Sequence, residues 1–177
     1  MKKAIIISSF IIYWLLMILN TILENSGIFV LLFYVMLFMP LTIAIIKEKD
    51  SFALAIIILY EIAELLMSLM FVASSFVEIE EASVILIITE FITAFYAFSL
   101  MSSSFKLIRN KENNLMLYII AFGILRCSFT FVNFIIAKDY SADMIISMIS
   151  NVVFILAIST YIVSFGKKEI KIFNKNE

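Results

Sequence analysis

The stretch SFALAIIILYEIAELLMSLMFVASSFV, residues 51–77, decides the fold. It exceeds the roughly 20 apolar residues that a helix needs to cross a hydrocarbon layer about 30 Å thick. Between Ser51 and Ala73 stand twelve Leu, Ile, Val and Phe residues. Together they return about 4–7 kcal/mol of insertion free energy, at roughly 0.3–0.6 kcal/mol each. The same stretch carries Glu61 and Glu64. An ionised carboxylate near the centre of a span costs about 2.5–3.5 kcal/mol, so two of them nearly cancel the apolar gain. Such a helix needs partners, protonation or a water-filled cavity, and belongs inside a bundle.

Five more apolar runs of spanning length surround it: residues 4–23, 28–46, 82–105, 115–137 and 144–165. Lys2 and Lys3 before the first run resemble the start of a signal peptide. The apolar part is too long for one and no small-residue cleavage site follows, so the run reads as an uncleaved span. The connectors are short, the longest running from Lys106 to Asn114. Short links make consecutive helices antiparallel neighbours. The expected fold is all-α: a polytopic membrane bundle of six transmembrane helices in a single domain, residues 1–165, with a basic tail at 166–177. Composition agrees. Of 177 residues 64% are hydrophobic and 15% charged, with a mean hydropathy of +1.12. A soluble domain is roughly 45–50% apolar and about 25% charged. A disordered chain, a coiled coil and a secreted disulfide scaffold are excluded.

Charge sets the expected orientation. With six spans, Lys2, Lys3, Lys47, Lys49, Lys106, Arg109, Lys111, Lys167, Lys168, Lys171 and Lys175 share one side, 11 of the 13 basic residues. Only Lys138 lies on the other side, among Glu24, Glu78, Glu80, Glu81, Asp139 and Asp143, and Arg126 lies inside a span. Basic residues flanking spans mark the cytoplasmic face. Both termini are therefore expected in the cytoplasm, in a multi-pass protein of the cell membrane whose basic tail meets anionic lipid heads. Pro40 is the single proline, so the helices should be continuous with at most one kink.

Several chemistries drop out. There is no histidine, and Cys127 is the only cysteine, which removes disulfides, cysteine-pair metal sites and Ser-His or Cys-His nucleophile pairs. Gly27, Gly123 and Gly166 are too far apart for a phosphate-binding loop. A net charge of −1 offers no bulk attraction to nucleic acid. No cofactor, resident metal or catalytic residue is expected. Glu61 and Glu64 share one helix turn without an oxyanion-stabilising turn beside them, which argues against an intramembrane enzyme.

Four ionisable residues remain inside the spans: Glu61, Glu64, Glu90 and Arg126. At about 1.5 Å per residue, Glu61, Glu64 and Arg126 lie about 15, 20 and 16 Å from the cytoplasmic side. Glu90 lies about 12 Å from the outer end of its helix. Glu61 and Glu64 share a face that Ser68 continues. Gly123, Arg126, Thr130 and Asn133 form a stripe on the fifth helix, Glu90, Thr93 and Ala97 one on the fourth, and Ser147 and Asn151, with Ser150 beside them, one on the sixth. These stripes predict a polar seam among helices three to six, with helices one and two mostly greasy.

Three glutamates and one arginine sum to −2, so one carboxyl keeps a proton or a cation compensates. Intramembrane ionisable groups mark substrate and ion pathways. The candidate binding residues are Glu61, Glu64, Glu90, Arg126, Asn133 and Asn151. The expected role is a small carrier, or the solute-binding membrane subunit of a transporter. Its ligand would be a small solute, a proton or a cation, driven by a coupling ion or a partner ATPase. In the competing expectation the chain is a non-catalytic membrane partner (assembly, immunity or sensor protein) whose buried charges only fix helix packing.

Overall fold

The computed structural model describes residues 2–23, 28–47, 50–75, 83–109, 111, 113–138 and 141–173. It contains six helices: α1 (Lys2–Leu23), α2 (Ile28–Ile46), α3 (Asp50–Ser75), α4 (Ser83–Ile108), α5 (Met116–Ala137) and α6 (Ala142–Phe173). The acidic connectors at Glu24 and at Glu78, Glu80 and Glu81, and the last residues of the tail, lie outside the described residues. Five of the helices, all but α2, are long and apolar enough among the described residues to cross a membrane. The fold is that of an integral membrane helix bundle.

The elements follow from the expected spans with one notable difference: α6 runs on to Phe173 rather than ending at Phe165. Gly166 costs only about 1 kcal/mol relative to alanine in a helix. No proline follows it, and Lys167, Lys168 and Glu169 are good helix formers, so the helix runs through the start of the tail. Pro40 sits within α2, which continues past it. At the end of α5, Lys138 adopts the left-handed conformation (φ 52°) that terminates many helices.

The helices pack as a ring. α1 touches α2 and α6, α3 touches α2 and α4, α5 touches α4 and α6, and α4 also reaches α6. The most extensive contact is α3 on α4. Small buried side chains on α4, namely Ala97, Ser99, Ser103 and Ser104, allow neighbouring helices to approach closely. Close packing replaces the hydrophobic effect as the cohesive force between helices in lipid.

Three side-chain ties fix the alternating direction. The Tyr161 hydroxyl donates to Asp50 Oδ1 at 3.0 Å, joining the late part of α6 to the start of α3. Asn113, just before α5, bonds Ser103 near the end of α4. Asn133, late in α5, donates to Thr89 Oγ1 near the start of α4 at 2.9 Å. The bundle therefore has a basic end, with Lys47, Lys106, Arg109 and Lys111, and an opposite end, called here the acidic end.

Outward-facing positions are predominantly apolar. Leu15, Met36, Leu59, Met67, Leu117 and Ile124 are examples among many exposed large side chains. Water does not tolerate so continuous an apolar surface, whereas acyl chains do. Many hydroxyls on the helices are satisfied within their own helix. Ser9, Thr21, Thr42, Ser99 and Ser128 each donate to the carbonyl four residues back. This is the way Ser and Thr are accommodated where no water is available.

Candidate buried charge site

The centre of the bundle is built on one stripe of α3. Ile57, Glu61, Glu64, Ser68 and Val72 recur at three- and four-residue intervals, and all are buried. That spacing places them on one face, pointing at the facing helices. Across from them, α5 presents Ile119, Gly123 and Arg126 at the same intervals.

Arg126 grips Glu64 with both ends of its guanidinium. Nη1 donates to Oε2 at 3.1 Å and Nη2 pairs with Oε1. The side chains are 12% and 10% exposed. A forked pair of this kind is the strongest ionic contact two side chains make, and the least tolerant of change in geometry. Tyr96 of α4 supports it. Its ring centroid lies 5.3 Å from Arg126 Cζ. Its hydroxyl donates to the Ile155 carbonyl at 3.1 Å and exchanges a hydrogen bond with Ser159 Oγ at 2.8 Å. Tyr96 thus ties α4 to α6 while its face holds the guanidinium of α5. Gly123 makes this approach feasible, because a Cβ there would sit 3.3 Å from both Ser159 Oγ and Tyr96 Cε2.

Glu61 is different. It is 0% exposed, and neither carboxylate oxygen receives a hydrogen bond from a donor. Its nearest electrostatic neighbours are Glu64 and Arg126. Arg126 is already engaged by Glu64, so a hydrogen bond between the two carboxyls requires a proton on one of them. A bare carboxylate sealed from water without donors is several kcal/mol out of balance by rough estimate. A proton or another cation on Glu61 would remove that imbalance.

Below Glu61, toward the basic end, four aromatic rings meet. Tyr13 of α1, Phe38 of α2, Tyr60 of α3 and Phe154 of α6 have neighbouring centroids 4.8–5.3 Å apart. Edge-on and tilted pairs of this kind add about 0.5–1.5 kcal/mol each beyond their contact area. The cluster fills the ring of helices and closes it.

The structure brings together three of the six candidate residues: Glu61, Glu64 and Arg126. Asn133 is occupied by Thr89, whose own hydroxyl donates to the Ile85 carbonyl, so this pair joins α4 to α5 away from the charges. Thr130 of the same stripe donates back to the Arg126 carbonyl. Glu90 is half-buried, and among the described residues it makes no ion pair with Arg126. Asn151 is exposed. Helix α1 is less greasy than expected, since it brings Tyr13 to the centre and buries Asn20 and Thr21, whereas the buried residues of α2, Phe38 among them, are apolar. The aromatic cluster and Tyr96 were missed from sequence. The available signal was position: Tyr13 and Tyr60 stand in mid-span, whereas tyrosine otherwise prefers the membrane–water boundary.

Among the described residues no three Cys, Asp or Glu side chains gather in a way that would hold a metal ion. A scan against protein-family models finds no match, and searches of the curated proteins and of solved structures return no similar chain.

Proposed function

We propose that the protein is a small non-catalytic membrane carrier, or the solute-binding membrane subunit of a transporter. In this reading Glu61 takes up and releases a proton or a cationic group. The observation that carries it is the division of labour between two adjacent carboxyls. Glu64 is neutralised by Arg126, while Glu61 is buried with no donor at all. A purely structural ion pair needs the first and has no use for the second. An unpaired carboxyl beside an exchangeable ion pair can release its cation when Arg126 swings from Glu64 toward Glu61. Binding of a ligand anion to Arg126, or of a ligand cation to Glu64, would bias that exchange.

The reading places the protein in a cell membrane with both termini in the cytoplasm. It is supported by the charge distribution and by the apolar surface.

The test is flux in proteoliposomes loaded with a pH-sensitive dye. Organic cations, inorganic cations and amino acids are offered as separate panels under an imposed potential. The expected outcome is that one class enters with a proton movement that Glu61→Gln abolishes while leaving protein level and fold intact. No response to any panel, together with Glu61→Gln, Glu64→Gln and Arg126→Met variants that accumulate poorly, would establish a structural role for the charges. The chain would then be an assembly, immunity or sensor partner. The closed forked geometry of the Glu64–Arg126 pair is the observation that favours this second reading.

A further inference from the structure

Burial along the inward stripes is one-sided. On α5 it falls steadily toward the acidic end. Ile119 and Gly123 are buried, Arg126 is partly accessible, and Thr130 and Asn133 are only half-buried. On α6, Asn151 precedes Phe154, Ile155 and Ile158 by three, four and seven residues, and these three are 3%, 1% and 1% exposed. Helical periodicity places Asn151 on the same inward stripe. Asn151 is nevertheless exposed. An inward position that is accessible means that the interior is open there.

Height locates the opening. Tyr161 bonds Asp50 at the basic end and Phe154 meets Tyr60 edge-on, with centroids 5.1 Å apart. Asn151 is about one turn nearer the acidic end than Phe154, about 5 Å higher, and so level with Glu64.

The chemistry of the interior changes at the same level. Toward the basic end the centre is Phe10, Tyr13, Phe38, Ile57, Phe154 and Ile158, all buried. The three buried serines on that side, Ser99, Ser103 and Ser104, all lie on α4, facing its neighbours. Toward the acidic end the buried side chains of the described residues are Asn20, Thr21, Ser68, Thr89, Thr93 and Ser150, with only Ala94 and Val72 apolar. The connectors at that end carry Glu24, Glu78, Glu80, Glu81 and Asp139 in the sequence, against the single cation Lys138. Excess negative charge at that end of the chain's topology attracts cations and concentrates them.

We propose that the bundle holds a one-sided aqueous vestibule. It opens at the acidic end between the outer halves of α5 and α6. Hydroxyl and amide groups line it, it ends on the Glu64–Arg126 pair with Glu61 sealed just beneath, and the aromatic cluster closes the far side. Its ligands are water and small cations, protons included. The groups facing Glu61 there are Tyr60 and Glu64 on α3, Tyr96 on α4 and Arg126 on α5, so any proton reaching it passes the ion pair first. The vestibule deepens the carrier reading, and its role in uptake rests on that reading; its accessibility does not.

Cysteine labelling tests it directly, because Cys127 is the only native thiol and Cys127→Ser clears the background. In that variant, Asn151→Cys, Asn133→Cys and Ser68→Cys are made singly, with Ile57→Cys as the sealed control. Oriented vesicles are treated with a membrane-impermeant cationic thiosulfonate, its anionic counterpart and lipid-soluble N-ethylmaleimide. The expected result is reaction of Asn151→Cys and Asn133→Cys with the impermeant reagents from the acidic end only, faster with the cationic one, and loss of reaction from the basic end. Ile57→Cys stays unmodified by both charged reagents. Labelling of Asn151→Cys by N-ethylmaleimide alone would show that it faces lipid and would overturn the proposal. So would labelling from the basic end, or equal labelling of Ile57→Cys. Native Cys127, half-buried beside a 590 Å³ groove between α5 and α6, reports folding of the parent through its reaction with N-ethylmaleimide. A vestibule without flux would refute only the carrier, and flux without labelling only the vestibule.

Discussion

Arginine cannot shed its proton inside a protein, whereas a carboxyl can take one up. This asymmetry determines how the buried charges respond to substitution. With Glu64 neutralised, Glu61, one turn away on the same face and electrostatically coupled to Arg126, is the carboxylate left to pair with it. With Arg126 removed, both glutamates can protonate. The damaging change is the double variant Glu61→Gln/Glu64→Gln, which strands the guanidinium. We expect each single glutamine variant to unfold within about 1 kcal/mol of the parent, because the remaining carboxylate replaces the lost hydrogen bonds to the guanidinium. The double variant should lose about 3–5 kcal/mol, the cost of an uncompensated buried charge. Reversible unfolding in mixed micelles measures all three. Equal losses in the two singles, summing to the double, would mean that Glu61 never reaches Arg126. Part of this was legible in advance. The three-residue spacing of Glu61 and Glu64 and the depth of Arg126 placed three charges at one level. The choice of Glu64 over Glu61 as partner was not legible, because both lie on the facing stripe within reach of a long, flexible arginine.

At the scale of single helices, α5 is the least embedded of the five helices long and apolar enough to cross a membrane among the described residues, and Gly123 is a point of close approach to its neighbours. The three atoms that a Cβ would meet belong to Tyr96, Ile155 and Ser159, the residues that join α4 to α6. Gly123→Leu should push α5 off this junction at a cost of about 1–3 kcal/mol from overpacking. It should also lengthen the distance between spin labels on α5 and α4, measured by pulsed electron paramagnetic resonance. An unchanged distance would place the close approach elsewhere. The sequence offered Gly123 as one member of a polar stripe. Its use as a contact point depends on Tyr96 and Ser159, which lie in other helices and share no local pattern with it. The extension of α6 to Phe173 was hidden for the opposite reason: a glycine followed by charges resembles a stop, and only the absence of proline argues otherwise.

For the molecule as a whole, the existence, number and order of the helices were readable because a membrane imposes one demand, about 20 apolar residues per crossing. The ring closure of α1 on α6 was not readable, since every outer surface is similarly apolar and side-chain fit decides who neighbours whom. Orientation depends on flanking cations alone. Reporter fusions after residue 48 and residue 110 should be active as cytoplasmic reporters, and fusions after residue 25 and residue 140 as exported ones. Replacing Lys106, Arg109 and Lys111 with Gln should produce a mixed population. A pure exported signal at residue 110 in the unaltered chain would invert the assignment.

The separation of Glu64 from Arg126 by 62 positions has a consequence during synthesis. The ribosome releases α3 into the translocon well before α5 exists. For that interval the nascent segment holds two acids and no base. It must wait at the translocon wall or enter lipid with both carboxyls discharged, and it is locked in place only when the arginine arrives. Chain termination between α4 and α5 should therefore yield a product that quality-control proteases clear faster than a similar truncation of a chain bearing Gln at both positions.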